Sequence, residues 1–296
     1  MTHSFTRARL DPRTFAGRQR IVNGLMIGLC TAATIVSVGA LVAVLGYLVV
    51  GGISSINLDV FTKGPAPQGE PGGGLLNGIV GTLELLGLGS VFGIPLGILG
   101  GVYLSGSRSR LAGIVRLLTD VLNSIPSIVL GLFAYVVVVL PTAEMMPGHA
   151  FTVVAGAFAL GILMIPTIMR TTEEILRLVP NGLREASLAL GATEARTMFS
   201  VILPASRDGI ITGVVLAIAR IAGETAPLLF TAFGNMTFST ALDQPIDALP
   251  LNIYKYATSP YESLHHLALA GAMILIFFIL SLSLLTRFAL RNRMAR

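Results

Sequence analysis

The stretch from Arg220 to Phe230 reads R-I-A-G-E-T-A-P-L-L-F and sets a guanidinium and a carboxylate four residues apart inside an apolar run. On a continuous helix, residues 220 and 224 share a face, so Arg220 and Glu224 are expected to pair. Pro227 lacks a backbone donor and would free the carbonyl of Gly223, so a helix kink is expected beside the charges. Arginine holds oxyanions by paired, charge-assisted hydrogen bonds, and a carboxylate competing for it would keep that hold transient. The chemistry on offer is binding and release of an anion, with Thr225 as a further polar group in the same stretch. A permanent structural ion pair is the competing reading.

The element that must position these residues is an apolar run from Asp208 to Phe233, long enough to span a bilayer with Arg220 near its middle. Ionisable groups at that depth mark function by default. Five more runs of spanning length cover about residues 22–50, 76–104, 113–140, 150–169 and 264–288. With 53% hydrophobic and 12% charged residues among 296, the chain reads as an all-α membrane protein of six transmembrane helices. A β-barrel would instead alternate in polarity over segments of about ten residues. The first run carries no charge from Leu25 to Val50 and exceeds the roughly 7–15 residues of a signal-peptide core, so it is expected to remain as an anchor.

The net charge of +5 is explained by topology rather than by a nucleic-acid partner. Basic residues gather before the first helix (Arg7, Arg9, Arg13, Arg18, Arg20), around the start of the third (Arg108, Arg110, Arg116), between the fourth and fifth (Arg170, Arg177, Arg184, Arg196, Arg207) and at the end (Arg287, Arg291, Arg293, Arg296). The opposite connections hold only Lys63 and Lys255. This asymmetry predicts that both termini are cytoplasmic. The single cysteine, Cys30, lies in the first run, which leaves no disulfide framework and no cysteine metal site.

Residues 1–20 read as a flexible cytoplasmic arm and 21–296 as one membrane domain. The segment Gly64–Gly74 is a run of turn and breaker residues. Helix 2 carries Glu84 and a kink signal at Pro95; helix 3 carries Asp120, Asn123, Ser124 and a second kink signal at Pro126. Asn123 and Ser124 are candidates either for interhelical hydrogen bonding or for the transport pathway. The connection of about residues 171–207 interleaves Glu173, Glu174, Arg177, Arg184, Glu185, Glu194 and Arg196 with apolar positions and is punctuated by Pro180, Gly182 and Gly191. That pattern predicts short amphipathic helices forming a cytoplasmic docking loop, or a helix lying on the membrane surface. On the outer side, Tyr254, Tyr256 and Tyr261 suit the membrane interface, and His149, His265 and His266 read as interfacial polar residues.

Neither lysine follows a glycine, so the chain has no phosphate loop ending in Gly-Lys, and it has no H-E-x-x-H or G-x-S-x-G pattern. It is not expected to be an enzyme or to bind a cofactor or metal. A membrane body with a docking loop and no motor of its own points to a transporter subunit driven by a separate protein. A proton-coupled carrier using Glu84, Asp120 and Glu224 as relays, and a membrane receptor or scaffold, remain as other readings.

The segment from Glu185 to Pro204, E-A-S-L-A-L-G-A-T-E-A-R-T-M-F-S-V-I-L-P, resembles the E-A-A loop of ABC importer permeases, with Glu185, Ala186, Gly191, Leu203 and Pro204 matching and Ser187 in place of the usual alanine. In that family the loop forms two short helices, bent at the glycine, that dock on the ATPase subunit. Arg220–Phe230, Gly72–Thr82 (G-G-G-L-L-N-G-I-V-G-T), Ile125–Val129 (I-P-S-I-V) and Ala248–Tyr254 (A-L-P-L-N-I-Y) resemble the permeases of phosphate-specific importers, from about residue 20 onward. Departures are Ser105-Gly106, where an acidic residue is frequent, and His265-His266, where the helix start is commonly richer in alanine. The resemblance implies an inner-membrane phosphate permease with a second permease subunit (PstC-like), ATPase subunits (PstB-like) that carry the ATP and magnesium, and an extracytoplasmic phosphate-binding protein (PstS-like). Another oxyanion, molybdate or sulfate, is the alternative cargo.

Overall fold

A computed structural model describes the backbone of residues 12–67 and 72–294, and the side chains of 19–67 and 72–290. Arg7 and Arg9 of the expected arm, residues 68–71 of the breaker loop, the side chains of Arg13, Arg18, Arg291 and Arg293, and all of Arg296 lie outside that description. The described residues are almost wholly helical, with one isolated bridge between Phe233 and Ile246 and no strand. Five helices are long and apolar enough to cross a membrane, six if one bent pair counts as a span.

The chain divides into two units at Val50 and Gly51. The first consists of α1, Pro12–Ile53, up to that boundary. It starts inside the expected arm, so residues 12–20 continue the helix. From Leu25 to Val50 this helix carries no charged side chain, and it is long and apolar enough to cross a membrane.

In the second unit, a short helix α2 (Leu58–Thr62), capped by Asn57, leads to the long α3 (Leu76–Gly106). The helix that α3 packs on is α7 (Val153–Arg177), the most enclosed span. Close approach is set by Gly89, Gly93, Gly97 and Gly101, four residues apart on one face of α3. A Cβ on Gly97 would fall 2.7 Å from Ile168, and one on Gly101 would fall 2.5 Å from Thr172. Pro95 lies inside α3 on an exposed face, and the helix continues through it to Gly106.

The third apolar run is not one helix. It is split into α4 (Arg110–Ser124) and α5 (Ser127–Ala134), the latter continuing through a π turn (Tyr135–Val139) into α6 (Leu140–Met145). Ile125, immediately before Pro126, is extended at φ −71 and ψ 134, as the proline ring demands of its predecessor. Pro126 therefore caps α5 rather than kinking a longer helix, and Asp120, Asn123 and Ser124 belong to the helix before the break.

The expected loop of residues 171–207 begins later, because α7 runs to Arg177. It contains α8 (Asn181–Ala189), α9 (Glu194–Thr197), a π turn (Met198–Ile202) and α10 (Leu203–Ala205). The fifth apolar run is also divided, into α11 (Arg207–Ala222) and α12 (Ala226–Thr231). Together the segment 194–205 and α11 form the bent pair, at 70°. The A-L-P-L-N-I-Y stretch forms α13 (Leu249–Ala257), and α14 (Glu262–Met294) closes the chain.

The main core joins α3, α5, α7, α11, α12 and α13 through Leu85, Leu130, Leu160, Met164, Ile221, Leu228 and Leu251. A smaller cluster of Leu176, Met198, Ile202 and Ile210 holds the segment from α8 to α10 against the ends of α7 and α11.

Candidate functional site

Arg220 stands in the last turn of α11, which stops at Ala222; Gly223 caps it and Glu224 lies beyond the helix. No ion pair joins Arg220 to Glu224 among the described residues. The expected pairing fails because it required an unbroken helix. Pro227 accounts for part of the break: it sits in the first turn of α12, where its missing N–H would have had no helical partner anyway. It thus begins a helix instead of bending one. A Cβ on Gly131 of α5 would come within 2.5 Å of the Pro227 Cα, so this turn is held tightly against α5.

The guanidinium turns instead to α7. Arg220 Nη1 donates to Thr167 Oγ1 at 3.2 Å, and that hydroxyl donates to Asn123 Oδ1, also at 3.2 Å. One hydroxyl can accept and donate at once, so three residues on α11, α7 and α4 form a directed relay. Arg220 is exposed, and its other N–H groups have no acceptor among the described residues. Ser124, by contrast, bonds back to the Asp120 carbonyl of its own helix at 2.8 Å. Thr225 reaches the Pro250 carbonyl of α13 at 3.5 Å, and Glu224 is half-buried. The structure thus brings Arg220 and Asn123 together and leaves Glu224, Thr225 and Ser124 outside that relay. Thr167 was not singled out from sequence; its only signal is a hydroxyl next to Pro166 within an apolar helix.

A second polar cluster lies where α3, α4 and α7 meet. Glu173 is fully buried, and Arg177 Nη2 and Arg116 Nε lie 2.7 and 2.8 Å from its Oε1. Arg170 Nη1 is 3.5 Å from the other oxygen and also engages Glu174 at 2.8 Å. Arg116 in addition donates to the Leu104 carbonyl, ending α3 against α4. A carboxylate this deep is tolerable only because cations surround it. In sequence, Arg170, Glu173, Glu174 and Arg177 read as charges of the connection between the fourth and fifth runs, and Arg116 as a basic residue near the start of the third.

The connection between α7 and α11 presents Glu185 and Ala186 on exposed positions of α8, with Leu190 90% exposed just after it. Gly191 has φ +82, a left-handed conformation that only glycine adopts without strain. It reverses the chain so that Ser187 Oγ meets the buried Thr197 Oγ1 at 2.8 Å, tying α8 to α9. Leu203 packs on the smaller core cluster, and Pro204 is exposed in the first turn of α10.

At the other end, the connection from Phe233 to Ala248 is fastened by Asn77 Nδ2 to the Met236 carbonyl at 3.0 Å and by the Leu249 N–H to Thr82 Oγ1 at 2.8 Å. Asp247 is buried there beside Asn252 and Lys255, and burial pushes its carboxyl up to about 6 against the opposing pull of Lys255. Tyr256, on α13, is pushed up to about 12, first by burial and then by Asp247.

Residues 93–294 match the family described as binding-protein-dependent transport system inner membrane component. The phosphate transport system permease protein PstA of Haemophilus influenzae is 43% identical over 274 residues, covering 92% of this chain and 94% of that protein. The PstA protein of Yersinia pestis is also 43% identical, over 271 residues, covering 91% and 90%. In shape, the chain is similar to one from a bacterial alginate ABC transporter solved in complex with an alginate-bound periplasmic protein, with a TM-score of 0.66 over 93% of this chain and 96% of that one at 16% identity. That likeness concerns the fold. This multi-pass membrane chain belongs to the binding-protein-dependent transport permeases, and among them to the PstA family.

Proposed function

We propose that the chain is the permease subunit of an ATP-driven inorganic phosphate importer in the bacterial inner membrane, forming half of the translocation pathway. The observation that carries this reading is the 43% identity to phosphate permeases along nearly their whole length. The end bearing α8 faces the cytoplasm, as do both termini, in agreement with the clustering of arginines there. A second permease subunit (PstC-like) supplies the other wall, and a PstS-like binding protein delivers phosphate from outside. PstB-like ATPase subunits grip the loop at Glu185, Ala186 and the exposed Leu190, and they alone carry ATP and magnesium; this chain has no catalytic role.

Arg220 is the proposed phosphate contact. Its exposed donors beyond the one given to Thr167 are available to an oxyanion, while the Thr167–Asn123 relay holds the guanidinium in one orientation. Glu224 and Thr225 lie in the non-helical break next to it, and a carboxylate so placed opposes anion binding without forming a fixed pair.

The deciding experiment is uptake of labelled phosphate by the reconstituted four-component complex, competed with molybdate and sulfate. Phosphate alone should compete efficiently. In the same system, Arg220→Gln should abolish uptake while leaving assembly and ATP hydrolysis intact. Efficient competition by molybdate or sulfate would overturn the substrate assignment, and normal uptake by the variant would remove Arg220 from the pathway.

A further inference from the structure

The end of α3 with the residues just after it, the last turn of α7 and the first turn of α8 border an open-sided cavity of ≈ 600 Å³. Arg108, Arg177 and Arg184 line it with Ser105, Ser107 and Asn181, and no carboxylate is among its lining residues. Arg177 is balanced through Nη2 by Glu173, but Arg108 and Arg184 have no ion-pair partner among the described residues. The first turn of the nine-residue α8 adds to the positive potential. Its N-cap, Pro180, provides no side-chain acceptor, so the opening N–H groups are uncapped and the positive end of the helix dipole meets the same space. Arg184 lies only one turn into that helix, where a cation is disfavoured unless an anion sits nearby. The serine hydroxyls are already engaged, Ser105 with the Val102 carbonyl and Ser107 with Ser109, so recognition falls to guanidinium groups and backbone N–H groups. Planar guanidinium forks and a helix N-terminus together suit a tetrahedral phosphate group.

We infer that this cavity is a phosphate-group site, distinct from the pathway, whose occupant fixes α8 relative to the ends of α3 and α7. The inference rests on the proposed function for one point, that α8 is the element gripped by the ATPase. Two sources share the required chemistry: inorganic phosphate from the cytoplasm, and the headgroup of an anionic phospholipid.

The test is hydrogen exchange of residues 181–190 in the complete importer, held in nanodiscs of phosphatidylcholine alone or with phosphatidylglycerol, with and without added inorganic phosphate. At a tenfold excess over its Kd, a ligand that must leave before α8 opens slows exchange roughly tenfold. Slowing by inorganic phosphate in phosphatidylcholine identifies the free ion; slowing by phosphatidylglycerol without added phosphate identifies the lipid. Arg108→Gln, at an exposed position outside the docking loop, should abolish the slowing, and Arg108→Lys should keep most of it. ATPase sites that also bind phosphate are unchanged in Arg108→Gln, so any protection they confer persists there. Absence of slowing in both lipid arms, or equal slowing in wild type and Arg108→Gln, overturns the proposal. Uptake is measured separately, so failure of the transport reading leaves this result interpretable.

Discussion

Arg220 reaches Thr167 on a neighbouring helix, at 3.2 Å, and not the glutamate four residues along its own chain. The difference changes what kind of device the stretch is. A fixed i,i+4 pair would neutralise the arginine, whereas a neutral hydroxyl orients it and leaves its charge available.

Thr167→Val keeps the shape of the side chain and removes both links of the relay. Uptake by the reconstituted complex should fall about tenfold, the scale of one hydrogen bond to a charged group. Thr167→Ser should retain most activity because its hydroxyl can play both roles. If Thr167→Val transported at the wild-type rate, the relay would be packing without consequence for transport.

The docking loop gives a second test. Gly191→Pro imposes φ near −65° where the chain has φ +82, and should uncouple ATP hydrolysis from uptake or prevent assembly with the ATPase. Ser187→Ala is milder: losing the bond to buried Thr197 should destabilise the α8–α9 corner by about 1 kcal/mol and speed its hydrogen exchange without abolishing uptake. Wild-type coupling in Gly191→Pro would count against the loop as the transmission element.

How much of this was legible in sequence depends on the range of the interaction. Five of the six apolar runs correspond to helices of spanning length, because lipid forces every backbone group into local helical bonds and the pattern is written in consecutive residues, whereas the run of residues 208–233 is broken into α11 and α12. The bent glycine loop was legible too, since Gly191 needs a backbone that other residues avoid. Breaks at Ile125–Pro126 and Gly223–Thr225 were read as kinks, because a proline signals interruption without saying whether it bends a helix or starts a new one. Thr167, and the burial of Glu173, were missed for another reason. Thr167 meets Arg220 53 residues away, and Glu173, besides its local contacts to Arg170 and Arg177, is buried against Arg116 57 residues away; no local pattern encodes those distant pairings.

Glu173 should be worth more to stability than any exposed charge on the same helix. Glu173→Gln leaves Arg116 and Arg177 facing a buried amide, with a loss on the order of 3 kcal/mol after allowing for the partial exposure of both arginines. Thermal unfolding of the purified complex should register a clear drop in Tm. Glu174→Gln removes only an exposed contact to Arg170 and should shift stability by less than about 0.5 kcal/mol. Equal effects from the two variants would mean that the buried cluster is not a structural anchor.

Asp247 should make the connection of residues 233–257 pH-sensitive, and the sign follows from its raised pKa. Below the ordinary value of 3.8 the carboxyl is protonated in both folded and unfolded chain, and burial costs little. Between that value and about 6 the folded chain holds the proton more tightly. Above about 6 it is ionised in both states and the full burial cost applies, on the order of 3 kcal/mol. Stability of the segment 233–257 should therefore rise as pH falls from about 7 toward 4, with Lys255 limiting the size of the change and Tyr256 remaining protonated throughout. Hydrogen exchange of that segment, corrected for the intrinsic pH dependence of exchange, measures the effect directly. Asp247→Asn should flatten the profile and leave the segment as well protected at neutral pH as the wild type is in acid. A flat profile in the wild type would show that Lys255 neutralises Asp247 completely.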